Sequence, residues 1–135
     1  MCEKYRGTEP APAILKRFIK NKRIAWKIVE IHNDRPDRPH GTYRENYYYT
    51  QKNETVQGAQ NVGFCCFLKK SHAVEEANSW KMLTSRTEIV QKVKLSGGLT
   101  IMQFCTDGSK NATPIICAEK MEFLTWPIII KEGKQ

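Results

Sequence analysis

Five cysteines and three histidines are the side chains of this 135-residue chain best suited to hold a metal or attack a substrate. A metal loop presents two ligands at short spacing, as in Cys-x-x-Cys or His-x₃₋₅-His, and neither occurs. His32 and His40 flank a loop rich in Arg and Pro, and their nearest cysteine in sequence is Cys65. Cys65 and Cys66 are adjacent, so on a strand they point to opposite faces. The cysteines therefore read as small buried hydrophobes, and no metal ligand and no cofactor is assigned. Nucleophilic catalysis needs a base and an orienting acid that converge on the nucleophile. His72 and Asp107 offer those groups, but no local signature accompanies them. Ser96-Gly97-Gly98 lacks the frame of a phosphate-cradling loop and reads as a hairpin turn. Tyr43, Tyr47, Tyr49, His40 and Glu119 are residue types from which a small nucleotide-using transferase of the ADP-ribosyl kind builds a site, although no spacing compels it.

Charge says more than any motif. The chain has 22 Lys and Arg against 14 Asp and Glu, a net charge of +8. Six of the basic residues (Lys16, Arg17, Lys20, Lys22, Arg23 and Lys27) fall between Pro10 and Val29, where there is no acid. Arg35 and Arg38 follow in the Arg-Pro loop, and Tyr47 to Tyr49 supply a run of aromatic rings. Lys and Arg along a helix can neutralise phosphates, and tyrosine rings on an edge strand can stack bases. The expected binding surface is Lys16, Arg17, Lys20, Arg23, Lys27, Arg35, Arg38, Tyr47 and Tyr49. A membrane is not expected as partner, since the apolar stripe of a ten-residue helix buries too little area to anchor.

These residues need a scaffold. The size fits a single domain, and 40% hydrophobic with 10% aromatic residues is a globular composition. Residues 1–12 read as an N-terminal tail with no secretory signal, 13–23 as a basic helix, and 24–130 as the body. Ile14, Leu15, Phe18 and Ile19 form the apolar stripe of that helix. Ile24 to Ile31 reads as a strand. Asn33 to Gly41, with two Arg-Pro pairs, reads as an exposed stiff loop, and Thr42 to Gln51 as an edge strand carrying Tyr43, Tyr47 and Tyr49 on one face. Lys52 to Gln60 reads as a polar loop and Val62 to Leu68 as a strand. A helix is expected over His72 to Leu83, packed through Ala73, Val74, Ala77 and Trp80. Strands at Glu88 to Leu95, Leu99 to Cys105, Pro114 to Ala118 and Lys120 to Leu124 follow, with a short last one at Trp126 to Ile130. This order predicts an α+β fold: a curved, mostly antiparallel sheet of about six strands with one packed helix and the basic N-terminal helix.

Gly63-Phe64-Cys65-Cys66-Phe67, Ala73-Val74-Glu75-Glu76-Ala77, the valine-rich stretch Val90 to Lys94 and Ile116-Cys117-Ala118-Glu119-Lys120-Met121 together resemble small uncharacterised phage and prophage proteins. The resemblance covers about Val62 to Leu124, roughly half of the chain. His72 stands where the pattern has an acid, and the basic helix is foreign to it. The resemblance implies a viral or mobile-element origin and no particular chemistry. The expectation is a small non-enzymatic binding protein in the cytoplasm of a host cell. It would interfere with a host process such as nucleic-acid-guided or nucleotide-signalled defence. Its partner is then a host protein or nucleoprotein complex, or a nucleic acid or nucleotide bearing phosphates. Direct nucleic-acid binding and the nucleotide-using transferase are the alternatives.

Overall fold

A computed structural model of the protein describes residues 2–42, 45, 47–55, 63–81, 87–104 and 113–128. Among these residues, two helices and seven strands make an α+β fold with one antiparallel sheet. The strands are β1 (Cys2–Lys4), β2 (Ile24–His32), β3 (Arg35–His40), β4 (Lys52–Glu54), β5 (Phe64–Phe67), β6 (Thr87–Phe104) and β7 (Pro114–Phe123). The helices are α1 (Ala11–Lys20) and α2 (Lys70–Lys81).

β6 organises the sheet. Over Lys94 to Thr87 one of its edges pairs with Ile24 to Ile31 of β2, and over Val93 to Gln103 the other pairs with β7. β5 pairs with β7 and returns to β2 at Trp26↔Phe67, so the path β2–β6–β7–β5 closes on itself. β1 and β4 add short edges on β6 and β7. Ser96-Gly97-Gly98 is not a hairpin turn. It is an irregularity inside an 18-residue strand whose two flanks both pair with β7. Gly97 takes φ +76°, a conformation an L side chain resists, and there the strand bends so that β6 can serve both partners. The four short strands expected over this region are therefore two long ones.

Alternation along the strands sorts the core into two layers. Ala25 and Val29 of β2 join Phe64, Cys66, Val93, Leu95, Ile116, Met121 and Phe123 inside the closed path. α1 covers that layer through Ile14 and Phe18. Ile28, Phe67, Ile115 and Cys117 face the other way, where Ala73 and Ala77 let α2 approach closely. Each fully buried aliphatic or aromatic side chain contributes ~1.5–3 kcal/mol of burial. Ile19 and Val74, both expected in the core, are 43% and 37% exposed. The helix stripe is narrower than the run of apolar residues. The side chain of Trp80 lies outside the described part, as do residues 82–83, expected to end that helix.

Three expectations between residues 33 and 60 are corrected. Arg35–His40 is a strand despite its two prolines, because among the described residues β2 is its one strand partner and prolines are tolerated near an edge. Among the described residues of 42–51 there is no strand, and their one ladder contact is the isolated bridge His40↔Tyr48. Lys52–Glu54, expected as loop, pairs with β7. Residues 124–127 are bends rather than a last strand; 129–130, Cys105 and Tyr43 lie outside the described residues.

Candidate functional site

α1 leaves its cations on the surface because its buried stripe is only Ile14 and Phe18. Lys16, Arg17, Lys20 and Lys22 are exposed and Arg23 is half-buried. Arg17 is paired on the surface: its guanidinium grips Glu9 through two hydrogen bonds of 2.6 and 3.0 Å. Those bonds hold the Glu9 carboxyl below the usual range and raise Arg17. Glu9 sits one residue before the acid-free window, so the sequence count overlooked it. Among the described residues, Lys16, Lys20, Lys22 and Arg23 have no ion-pair partner. The helix ends in an unusual way. Lys22 and Arg23 both adopt left-handed φ (62° and 58°), and the Arg23 N–H donates back to the Phe18 carbonyl. Glycine ordinarily fills such a position, and each L residue there costs roughly 1–2 kcal/mol. The turn places both cations at the negative end of the helix dipole, which offsets part of that cost.

Lys27 and Tyr49 are not part of any surface. Lys27 shares the inward phase of Ala25 and Val29, and its side chain is 3% exposed. Its ammonium donates to Glu45 Oε2 at 2.7 Å and to the Cys65 carbonyl at 2.8 Å. Burial alone would lower the Lys27 pKa. The Glu45 carboxylate, joined by Tyr49 and Cys66, outweighs it and holds the ammonium well above the ordinary lysine value. Tyr49 is fully buried and donates its hydroxyl to Glu45 Oε1 at 2.6 Å, and burial raises its phenol far above the usual range. Tyr47, 44% exposed, packs edge-on against Tyr49 at 5.4 Å. Its phenol is also raised, first by burial and then by Glu45. One carboxylate thus satisfies a buried cation and a buried phenol.

Arg35 and Arg38 lie at the far end of β2 from α1. Nine strand residues span ~27 Å, so the helix and the arginine strand do not form one compact patch. Arg35 is exposed with its guanidinium carbon 5.5 Å from the centre of the Tyr48 ring, and Arg38 is half-buried. Asp34 and Asp37 alternate with them and cancel the local charge.

At that same end lies a cluster that sequence spacing did not assign. Glu30, His32 and His40 each offer a ligand atom, all within 4.8 Å of one another. Glu30 Oε2 is 3.0 Å from His32 Nε2 and 3.9 Å from His40 Nδ1. The imidazoles stack at 4.3 Å, and Tyr48 sits edge-on to both. Tyr48 Oη lies 3.3 Å from His32 Nδ1 and 3.3 Å from Asp34. Loss of hydration, then the Asp34 carboxylate, raises the Tyr48 phenol. His40 reaches the cluster because the Pro36–Pro39 segment bulges: His32 pairs with Arg35 across a two-residue turn, yet Glu30 pairs with His40. The signal in the sequence was Glu30-x-His32, which strand alternation puts on one face.

Of the residues named for a transferase site, Tyr43 lies outside the described residues and the others are placed in different settings. Glu119 is exposed on β7 beside Gly97 and Gly98, whereas His40 is buried on β3 and Tyr49 in the core. Among the described residues no helix is long and apolar enough to cross a membrane. No family model, curated protein or solved structure matches the chain.

Proposed function

We propose that the protein binds a polyanion, the phosphate backbone of a nucleic acid, through the outward face of α1 and the turn that follows it. The observation that carries this reading is the group Lys16, Lys20, Lys22 and Arg23, four cations with no ion-pair partner among the described residues, on one short helix and its C-terminal turn. Holding Lys22 and Arg23 in left-handed backbone at a cost makes sense if their direction is used. The resemblance to phage proteins adds a setting to this reading, interference with a host defence that handles nucleic acid.

Salt tests it. Four phosphates neutralised on duplex DNA give a slope of log affinity on log salt of about −3.6, or ~150-fold weaker binding between 50 and 200 mM salt. The variant Lys16→Gln, Lys20→Gln, Lys22→Asn keeps good helix formers on α1 and a residue tolerant of left-handed backbone at 22. With Arg23 alone left, its slope should fall to about −0.9. A folded variant that binds a labelled duplex as tightly as wild type, with the same slope, overturns the proposal. A shallow slope in the wild type, with losses that depend on the shape of the replacement, indicates an acidic protein surface instead.

A further inference from the structure

We propose that Glu30, His32 and His40 form a binding site for one divalent transition-metal ion of the zinc class. Three observations carry it independently of the basic helix. First, the donors already crowd together. A tetrahedral ion with bonds of ~2.0–2.1 Å holds its ligands ~3.3 Å apart. Glu30 Oε2 is 3.0 Å from His32 Nε2, and one ligand atom from each of the three residues lies within 4.8 Å of the others, so the carboxylate and the rings must shift by about 1.5 Å to close the site. Two imidazoles with one carboxylate suit zinc and its neighbours, while magnesium and calcium demand oxygen ligands.

Second, outer partners are in place. His40 Nδ1 lies 2.7 Å from the Gly41 carbonyl, which can only accept, so Nδ1 carries the proton and the lone pair of the neutral ring is on Nε2. With His32 ligating through Nε2, its Nδ1–H donates to Tyr48 Oη, and the Tyr48 hydroxyl donates to Asp34. A carboxylate at the end of such a chain is how ligating histidines are oriented.

Third, the site is buried yet reachable. Glu30 and His40 are 9% and 7% exposed, and Glu30 is held on β2 opposite Glu88 of β6. With three protein ligands, a fourth position is left for water. His32 has a side chain 22% exposed, which gives the ion a way in.

The experiment uses the full chain after treatment with a chelator. Zn²⁺ is titrated by calorimetry and Co²⁺ by visible absorption. The expected result is one ion per chain with cobalt bands of nitrogen and oxygen ligation and no thiolate charge-transfer band in the near ultraviolet. His32→Gln should weaken binding at least ~100-fold, Tyr48→Phe by ~10–100-fold, and Cys65→Ser should leave it unchanged. The chain has three histidines, and His72 on α2 is an internal control. In ring NMR of the wild type, zinc should shift His32 and His40 and not His72, which decides the matter even if a variant fails to fold. No saturable binding, a thiolate band, unchanged affinity in folded His32→Gln, or a shift of His72 in place of the other two overturns the assignment.

Discussion

Removing Glu45 should expose how the fold tolerates a charge in its core. Glu45→Ala leaves the Lys27 ammonium, 3% exposed, with the Cys65 carbonyl as its one remaining acceptor, and strips the buried Tyr49 hydroxyl of its acceptor. Breaking a buried pair in this way costs about 3–5 kcal/mol, because the orphaned charge stays desolvated. With an unfolding entropy of ~2.1 cal/mol/K per residue over 135 residues, ~4 kcal/mol lowers Tm by roughly 14 °C. Lys27→Met should cost less, since Glu45 is 18% exposed, keeps Tyr49 and can take up water. The double variant Lys27→Met, Glu45→Ala removes both charges and should recover a large part of the loss. Calorimetric melts of the four proteins give the coupling energy directly. A double variant as unstable as the sum of its singles, or a Glu45→Ala loss below ~0.5 kcal/mol, would refute the buried pair.

The same network predicts a limit at high pH. Lys27 and Tyr49 are both raised in the fold, so their stabilisation is complete below the unfolded-state values near 10 and is lost as pH rises beyond them. Above pH ~10.4 the unfolded chain sheds two protons that the fold keeps, and stability should fall by about 2.7 kcal/mol per pH unit. Denaturant titrations at alkaline pH measure that slope; Lys27→Met should halve it, and an unaltered slope in that variant assigns the loss to other groups. The Cys65 and Cys117 thiols, paired across β5 and β7 with their sulfurs 2.9 Å apart, should join when diamide accepts two electrons and two protons from them. Mass spectrometry after alkylation should find both blocked, and both remaining open to alkylation would show that the strands hold the sulfurs apart.

Periodicity made α1, β2, α2 and the strand character of the residues in β6 and β7 legible, because each carries its apolar residues at the spacing of its own structure. It failed where pairing rather than pattern decides. Ser96-Gly97-Gly98 looks the same in a turn and in a bend, and only the continuation of β7 opposite both flanks tells them apart. Pro36 and Pro39 argue against a strand until one knows that, among the described residues, β3 has a single strand partner. Lys27 was placed on the surface by its charge, although the alternation of Ala25 and Val29 already assigned its position to the interior. Its counter-ion comes from a segment 18 residues away that no local rule connects to β2.

Position along β2 also makes the two proposals separable. The α1 cations enter at Ile24, Lys27 lies mid-strand, and Glu30 and His32 close the far end, ~27 Å from the helix turn. At physiological salt charges are screened over ~8 Å, so stripping cations from α1 changes the field at Glu30 very little. Changes at His32 likewise leave the α1 surface intact. Gly41 ties the histidine cluster to the core instead: its N–H donates to the Tyr47 carbonyl, and a Cβ there would collide with the Glu45 carbonyl oxygen. The segment that carries Glu45 to Lys27 therefore starts beside His40. Filling the cluster with an ion should stiffen the approach to the buried pair while leaving the salt dependence of α1 as it was.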